Sequence, residues 1–197
     1  MKTIAFFNNK GGVGKTSLVY HLAWMFADHG IKVLAVDLDP QANLTSMFLD
    51  EERLEKLWPD GDHPDTVYGA ISPILRGVGD IAEPHSIKIA DNLELIPGDL
   101  GLSKFEDSLS ENWPKCLDGK PDAFRVITAF YRIIRLAAEK NSSDVIFIDV
   151  GPNLGANGIT TCSAEMIAER LIAPRFGPTS INITSLEFFS AANRIIR

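Results

Sequence analysis

Apolar residues fall in two arrangements along this chain. Short, nearly unbroken runs at Thr3 to Phe7, Ile31 to Val36, Leu93 to Ile96, Val145 to Ile148 and Leu171 to Ala173 have the length of β-strands. A run that is apolar at every position is the mark of a strand covered on both faces. Between the runs lie longer stretches with helical spacing, Thr16 to His29 and Ala123 to Lys140. Gly30 stops the first, as glycine does just past a helix C-terminus. Strand, loop, helix and strand over residues 3–36 make a βαβ unit, which implies parallel strands and a right-handed crossover. Asp60 to Pro64 and Asn112 to Pro121, rich in Pro, Gly and Asp, are expected as surface loops. The alternation predicts one α/β domain over residues 1–197, a doubly wound, mainly parallel sheet flanked by helices. A ligand then sits outside the carboxyl ends of the strands.

The chemistry begins where the first strand ends. Asn9-Lys10-Gly11-Gly12-Val13-Gly14-Lys15-Thr16 joins a strand to a helix, so its backbone N–H groups and the helix N-terminus can surround a polyphosphate. In that geometry Lys15 meets the β and γ phosphates as a point charge, the Thr16 hydroxyl ligates a magnesium ion, and Ser17 adds a hydrogen bond to the α phosphate. A glycine-rich turn with an incidental lysine is the alternative, but it does not require the strand-loop-helix context found here. The loop departs from GxxxxGK[ST] in having Asn9 at the first glycine position and a second lysine, Lys10. Asp37 and Asp39 stand at the carboxyl end of the second strand, suited to phosphoryl transfer to water, which needs a positioned nucleophile and neutralised charge. The same carboxylates before and beside Pro40 also read as turn caps. Asp149 follows the run at 145–148, where an aspartate holding magnesium through water is expected.

With Asn8-Asn9-Lys10-Gly11-Gly12 opening it, this loop resembles that of the deviant Walker A ATPases, the ParA/MinD family of the P-loop NTPase fold. The likeness continues in Asp37-Leu38-Asp39-Pro40-Gln41, in Leu93 to Gly98 and in Ile167 to Pro174, and so covers the chain from Thr3 to about Pro174. It implies ATP and Mg2+ as cofactors, with Lys10, Gly11, Gly12, Val13, Gly14, Lys15, Thr16 and Ser17 around the nucleotide. Lys10 is then the signature lysine, reaching in trans to the partner's phosphates in an ATP-dependent homodimer. Asp39 orients the attacking water and counts with Thr16 and Asp149 in the metal's surroundings, while Asp37 supports Lys15 or the metal shell. Lys10, Lys15 and Asp39 form the catalytic group.

The implied activity is slow, Mg-dependent ATP hydrolysis that switches a dimer partitioning or positioning DNA or other cargo, with a ParB-like activator as partner. A nucleotide-dependent regulator or MinD-like positioning module with little hydrolysis is the alternative reading. Where the family writes DxPP, this chain has Asp149-Val150-Gly151-Pro152, and the glycine is expected to loosen that second switch loop. After Pro174 the family continues with a helix, a strand, an adenine-contacting loop and C-terminal helices. A chain stopping at Arg197 is expected to lack much of that segment.

Composition narrows the picture further. With 197 residues and 45% hydrophobic content there is enough apolar material for one well-buried core. A net charge of -7 gives no general attraction to DNA or anionic lipid, so nonspecific DNA contact would fall to Arg170, Arg175, Arg194 and Arg197. Two cysteines, Cys116 and Cys162, without a CxxC pair, suggest neither a disulfide framework nor a zinc site and fit a reducing cytoplasm. Cys162 also lies too far beyond Asp149 to match the cluster-binding pattern of the nitrogenase iron protein, which shares the phosphate loop. The N-terminal apolar stretch is too short for a signal peptide core or a membrane span, and no amphipathic C-terminal membrane helix is visible. His21, Trp24 and Phe26 are read as packing residues, whereas Trp58, Trp113 and the Phe188-Phe189 pair read either as core or as an exposed partner surface.

Overall fold

A computed structural model describes residues 1–6, 12–118 and 120–151. Among these are five strands, β1 (Lys2–Phe6), β2 (Val33–Leu38), β3 (Ile87–Ala90), β4 (Leu93–Ile96) and β5 (Val145–Val150). Seven helices accompany them: α1 (Lys15–Asp28), α2 (Asn43–Phe48), α3 (Glu51–Leu57), α4 (Val67–Leu75), α5 (Leu102–Leu117), α6 (Pro121–Ile127) and α7 (Ala129–Lys140). The sheet runs β1-β5-β2-β4-β3, with β1, β5, β2 and β4 parallel and β3 antiparallel to β4.

Alternation along the strands divides the core between two faces. Val33, Ala35, Leu93, Leu95, Val145 and Phe147 pack with Phe6 against Val19, Leu22, Ala23 and Phe26 of α1. Phe147 meets Phe6 and Phe26 edge-on, with ring centroids 5.9 and 5.2 Å apart. Leu34, Val36, Leu38, Ile96, Ile146, Ile148 and Val150 face the other way, onto α4, α5 and α7. All six residues of β2 and all six of β5 are buried, the two-sided burial that their unbroken apolar runs predict. The alternation puts Asp37 and Asp149 on the α1 face, and β2–β5 pairing makes them register partners.

Several boundaries differ from the sequence reading. β2 runs on through Leu38, so Asp37 lies inside the strand. The segment at 112–121 is not a loop throughout, because α5 continues to Leu117 across Pro114. Leu102, Phe105 and Leu109 are buried on one face of α5, and Trp113 and Cys116 extend that face onto the core. This burial outweighs the backbone bond that Pro114 removes. The helix expected over 123–140 is two helices meeting at Thr128, whose hydroxyl donates to the Phe124 carbonyl at 2.6 Å. Pro121 at the N-terminus of α6 moves its start earlier than the apolar spacing suggests.

β3 and helices α2 to α5 are additions that the strand and helix patterns did not announce. Two of these helices carry recognisable caps: Asp50 accepts the Arg53 N–H at 2.9 Å and Thr66 accepts the Gly69 N–H at 3.1 Å. Phe7 and the expected strand at 171–173 lie outside the described residues. No helix among those described is long and apolar enough to cross a membrane.

Candidate functional site

The site is built where the parallel strands end and α1 begins. Gly14, the residue before α1, sits at φ 82° and ψ 17°, and Gly12 at φ 72°. Open space surrounds both, so the left-handed backbone, and not crowding, is what calls for glycine there. No side chain caps α1 and no acidic residue stands in its first turn. The Leu18 N–H already bonds to the Gly14 carbonyl at 2.9 Å. The N–H groups of Lys15, Thr16 and Ser17 therefore have no intrahelical acceptor and stand at the positive end of the helix dipole, open to an anion. Gly12, Val13, Gly14 and Ser17 are exposed, while Lys15 and Thr16 are half-buried. Lys10 and Gly11 lie outside the described residues.

Asp149 faces this helix end from β5. Its side chain is fully buried, and neither carboxylate oxygen has a hydrogen-bond partner among the described residues. The Lys15 ammonium lies 3.8 Å from Oδ1. Burial pushes the Asp149 carboxyl above its ordinary value, opposed by the nearby Thr16 hydroxyl and the Lys15 ammonium, with Asp39 adding to the rise. A buried carboxylate beside a hydroxyl offers oxygen atoms suited to a hydrated Mg2+ ion, and the neighbouring ammonium suits the phosphate that such an ion accompanies. No group of three or more His, Cys, Asp or Glu side chains able to hold a metal occurs among the described residues.

Asp37 has a different environment. Its Oδ2 accepts the Thr45 N–H at 2.8 Å and the Thr45 hydroxyl at 2.7 Å, and its Oδ1 accepts the Asp39 N–H at 3.1 Å. Burial pushes its carboxyl up to about 7, against the pull of the Thr45 bonds and with Asp149 adding to the rise. The ammonium of Lys15 pairs with Asp149, whereas Asp37 turns toward Thr45. Asp39, buried at the strand end, accepts the Gln41 N–H on Oδ1 at 2.9 Å. A Cβ at Gly151 would stand 3.0 Å from Asp39 Oδ1 and 3.2 Å from Pro40 Cδ. Glycine at 151 thus gives Asp39 and Pro40 the room they occupy.

Lys15, Thr16, Asp39 and Asp149 therefore gather around one end of α1, with Asp37 directly behind them. Three residues that the sequence reading passed over also belong here. Thr45 anchors Asp37. Gly98 approaches so closely that its Cβ would stand 2.8 Å from Asp37 Cγ. Glu106 on α5 has a buried, unpartnered Oε1, and its carboxyl is raised by burial and by the charges of Asp107 and Asp39. No fixed sequence spacing signals these three, because each depends on how the loops after β2 and β4 come together. Trp58 and Trp113, which the sequence left open, pack against the cores, and Cys116 is a half-buried thiol pushed up by burial.

Comparison with known proteins places the site in context. A family model described as an AAA domain matches residues 1–177. The sporulation initiation inhibitor protein Soj of Bacillus subtilis is 32% identical over 88% of this chain and 57% of its own length. A ParA family protein of Chlamydia trachomatis is 33% identical over 78% of this chain and 51% of its own. Among solved structures, a protein from Corynebacterium diphtheriae superposes with a TM-score of 0.72 at 38% identity, covering 81% of this chain and 56% of that one. Cobyrinic acid a,c-diamide synthase from Mycobacterium smegmatis, with bound ADP and magnesium, gives a TM-score of 0.57 at 26% identity over 85% and 57% of the two chains. The pNOB8 ParA bound to nonspecific DNA gives 0.53 at 25% over 81% and 48%. The chain spans about half the length of these proteins.

Proposed function

The chain belongs to the ParA/MinD family of deviant Walker A ATPases, and on that premise we propose that it binds ATP with Mg2+ and hydrolyses it slowly as a dimerisation switch. The observation that carries this reading is the orphaned Asp149 carboxylate, buried 3.8 Å from Lys15 at the open end of α1. The N–H groups of Lys15, Thr16 and Ser17 and the Lys15 ammonium receive the phosphates. The Thr16 hydroxyl and Asp149 hold magnesium, which supplies charge neutralisation to the phosphates. Asp39, whose Oδ1 accepts the Gln41 N–H, orients the attacking water. Lys10 reaches the phosphates bound by a second copy.

The dimer positions DNA or another cargo in the cytoplasm, and a ParB-like partner stimulates its turnover. One solved structure supports the cargo part, the pNOB8 ParA bound to nonspecific DNA. Light scattering with and without Mg-ATP tests the switch. The wild-type protein should become dimeric with Mg-ATP, Lys10→Ala should stay monomeric, Lys15→Ala should fail to bind ATP, and Asp39→Ala should bind ATP and accumulate as dimer. A monomer under every condition would refute the switch, and normal hydrolysis by Asp39→Ala would refute the role given to Asp39.

A further inference from the structure

We propose that Thr45 is a positioning residue for hydrolysis, holding Asp39 in place through the Asp37 carboxylate; the inference rests on the role given to Asp39 above. The segment from Asp39 to Thr45 leaves β2, turns at Pro40 and enters α2. One buried carboxylate grips both of its ends. Asp37 Oδ1 accepts the Asp39 N–H at 3.1 Å, while Oδ2 accepts the Thr45 N–H at 2.8 Å and the Thr45 hydroxyl at 2.7 Å.

Within the closed segment the backbone is strained. Ala42 sits at φ 50° and ψ 35°, the left-handed region, and is 1% exposed. A residue with a Cβ is disfavoured there, and such a conformation persists only where its surroundings over-determine it. Internal bonds hold the turn, from the Ala42 N–H to the Asp39 carbonyl at 2.8 Å and from the Gln41 N–H to Asp39 Oδ1 at 2.9 Å. These bonds fix the turn's shape but not its place on the sheet. The Asp37 clamp does that, and Thr45 supplies two of its three donors.

The Thr45 hydroxyl is committed in direction. Gly98 donates its N–H to Thr45 Oγ1 at 2.8 Å, so the hydroxyl accepts from the loop after β4 and gives its proton to Asp37. The Trp58 indole donates to the Gly98 carbonyl at 3.3 Å, and the Val67 N–H to the Pro97 carbonyl at 2.9 Å. The loop that feeds Thr45 is thereby tied to the end of α3 and the start of α4. Register is thus passed from these packed helices through Gly98, Thr45 and Asp37 to Asp39.

Thr45→Val keeps the β-branched shape and the backbone bond while removing both hydroxyl bonds. Its kcat for ATP should fall on the order of 10–100-fold, the cost of a small misplacement of a reacting group. KM should stay within about threefold, since the phosphate-binding groups are untouched. Thr45→Ser should recover most of the lost kcat. Amide hydrogen exchange on the nucleotide-free protein gives a readout that needs no turnover: residues 39–45 should exchange faster in Thr45→Val while residues 145–150 keep wild-type protection. A wild-type kcat in Thr45→Val, or kcat and ATP affinity falling together with protection lost in β5, would overturn the proposal. If the wild-type protein shows no hydrolysis, the functional reading falls on its own, and unchanged exchange over 39–45 in Thr45→Val still overturns the clamp.

Discussion

Replacing Gly98 by alanine puts the packing around Asp37 to a direct test. A Cβ there would stand 2.8 Å from Asp37 Cγ, 3.0 Å from Oδ2 and 3.2 Å from Cβ. Carbon atoms are in comfortable contact at about 3.5–4.0 Å, so the nearest pair is short by roughly 0.7 Å. Asp37 has nowhere to go: its side chain is 0% exposed, it lies in β2 between β5 and β4, and three donors hold it. On the other side, the Gly98 N–H and carbonyl are both engaged, by Thr45 and Trp58. Relief has to come from a backbone shift, which in a packed interior costs about 1–3 kcal/mol. For a domain of this size each kcal/mol is worth roughly 2–4 °C, so thermal unfolding followed by circular dichroism should show a fall of about 2–12 °C. Gly79→Ala is the control, because its Cβ meets Pro73 at an ordinary 3.7 Å. If Gly98→Ala melts within about 1 °C of that control, the packing argument is refuted.

Two further outcomes separate the carboxylates by role. At Gly151 an added Cβ stands 3.0 Å from Asp39 Oδ1 and 3.1 Å from its Cγ, a tight contact against the movable end of a side chain. Gly151→Ala should therefore lower kcat by displacing that carboxylate while changing thermal stability by no more than about 1 kcal/mol; a large loss of stability with unchanged kcat would contradict it. Asp37 titrates in the folded protein at about 7, against an ordinary 3.8, because burial disfavours its charge. A group raised in this way contributes stability that is complete below the unfolded value and is lost as pH rises through the folded one. Chemical denaturation of the nucleotide-free protein should thus show stability declining from about pH 4 to about pH 7, with Asp37→Asn flattening the decline. An equally steep decline in the variant would rule out Asp37 as its source.

Much of the scaffold is legible because β2 and β5 are buried on both faces, and such strands write themselves as unbroken apolar runs. The phosphate loop is legible for another reason: the left-handed turns at Gly12 and Gly14 and the ammonium at Lys15 all fall within four consecutive residues. α5 is not legible, and its last turns read as loop because Asn112 to Pro121 is rich in Pro, Gly and Asp, although Leu102, Phe105, Leu109, Trp113 and Cys116 form one apolar face across Pro114. The tie between Asp37 and Thr45 spans eight residues and the Gly98 contact sixty-one, distances set by the turn at Pro40 and the β2–β4 register. No local periodicity encodes such a meeting. For the same reason the two aspartates of the 37–41 stretch look interchangeable in sequence while their surroundings differ in the fold.

That difference is sharpest between Asp37 and Asp149. Parallel pairing of β2 with β5 makes them register partners on the same face, so the sheet brings two carboxylates side by side in a region closed to water. Charge in such a place is costly unless it is met by donors or a cation. Asp37 is met within the chain by three donors from Asp39 and Thr45. Among the described residues, neither Asp149 oxygen accepts a hydrogen bond, and the Lys15 ammonium lies 3.8 Å away. Were both carboxylates structural, the fold would gain by supplying both with donors, and the Thr45 arrangement shows that this chain can build such a supply. The unsatisfied one stands at the end of the helix whose first N–H groups are also unsatisfied. Unmet acceptors and unmet donors facing the same space are not a packing fault. Together they suit a ligand that carries both phosphate oxygens and a bound cation, and the satisfied aspartate behind them holds the turn from Asp39 to Thr45.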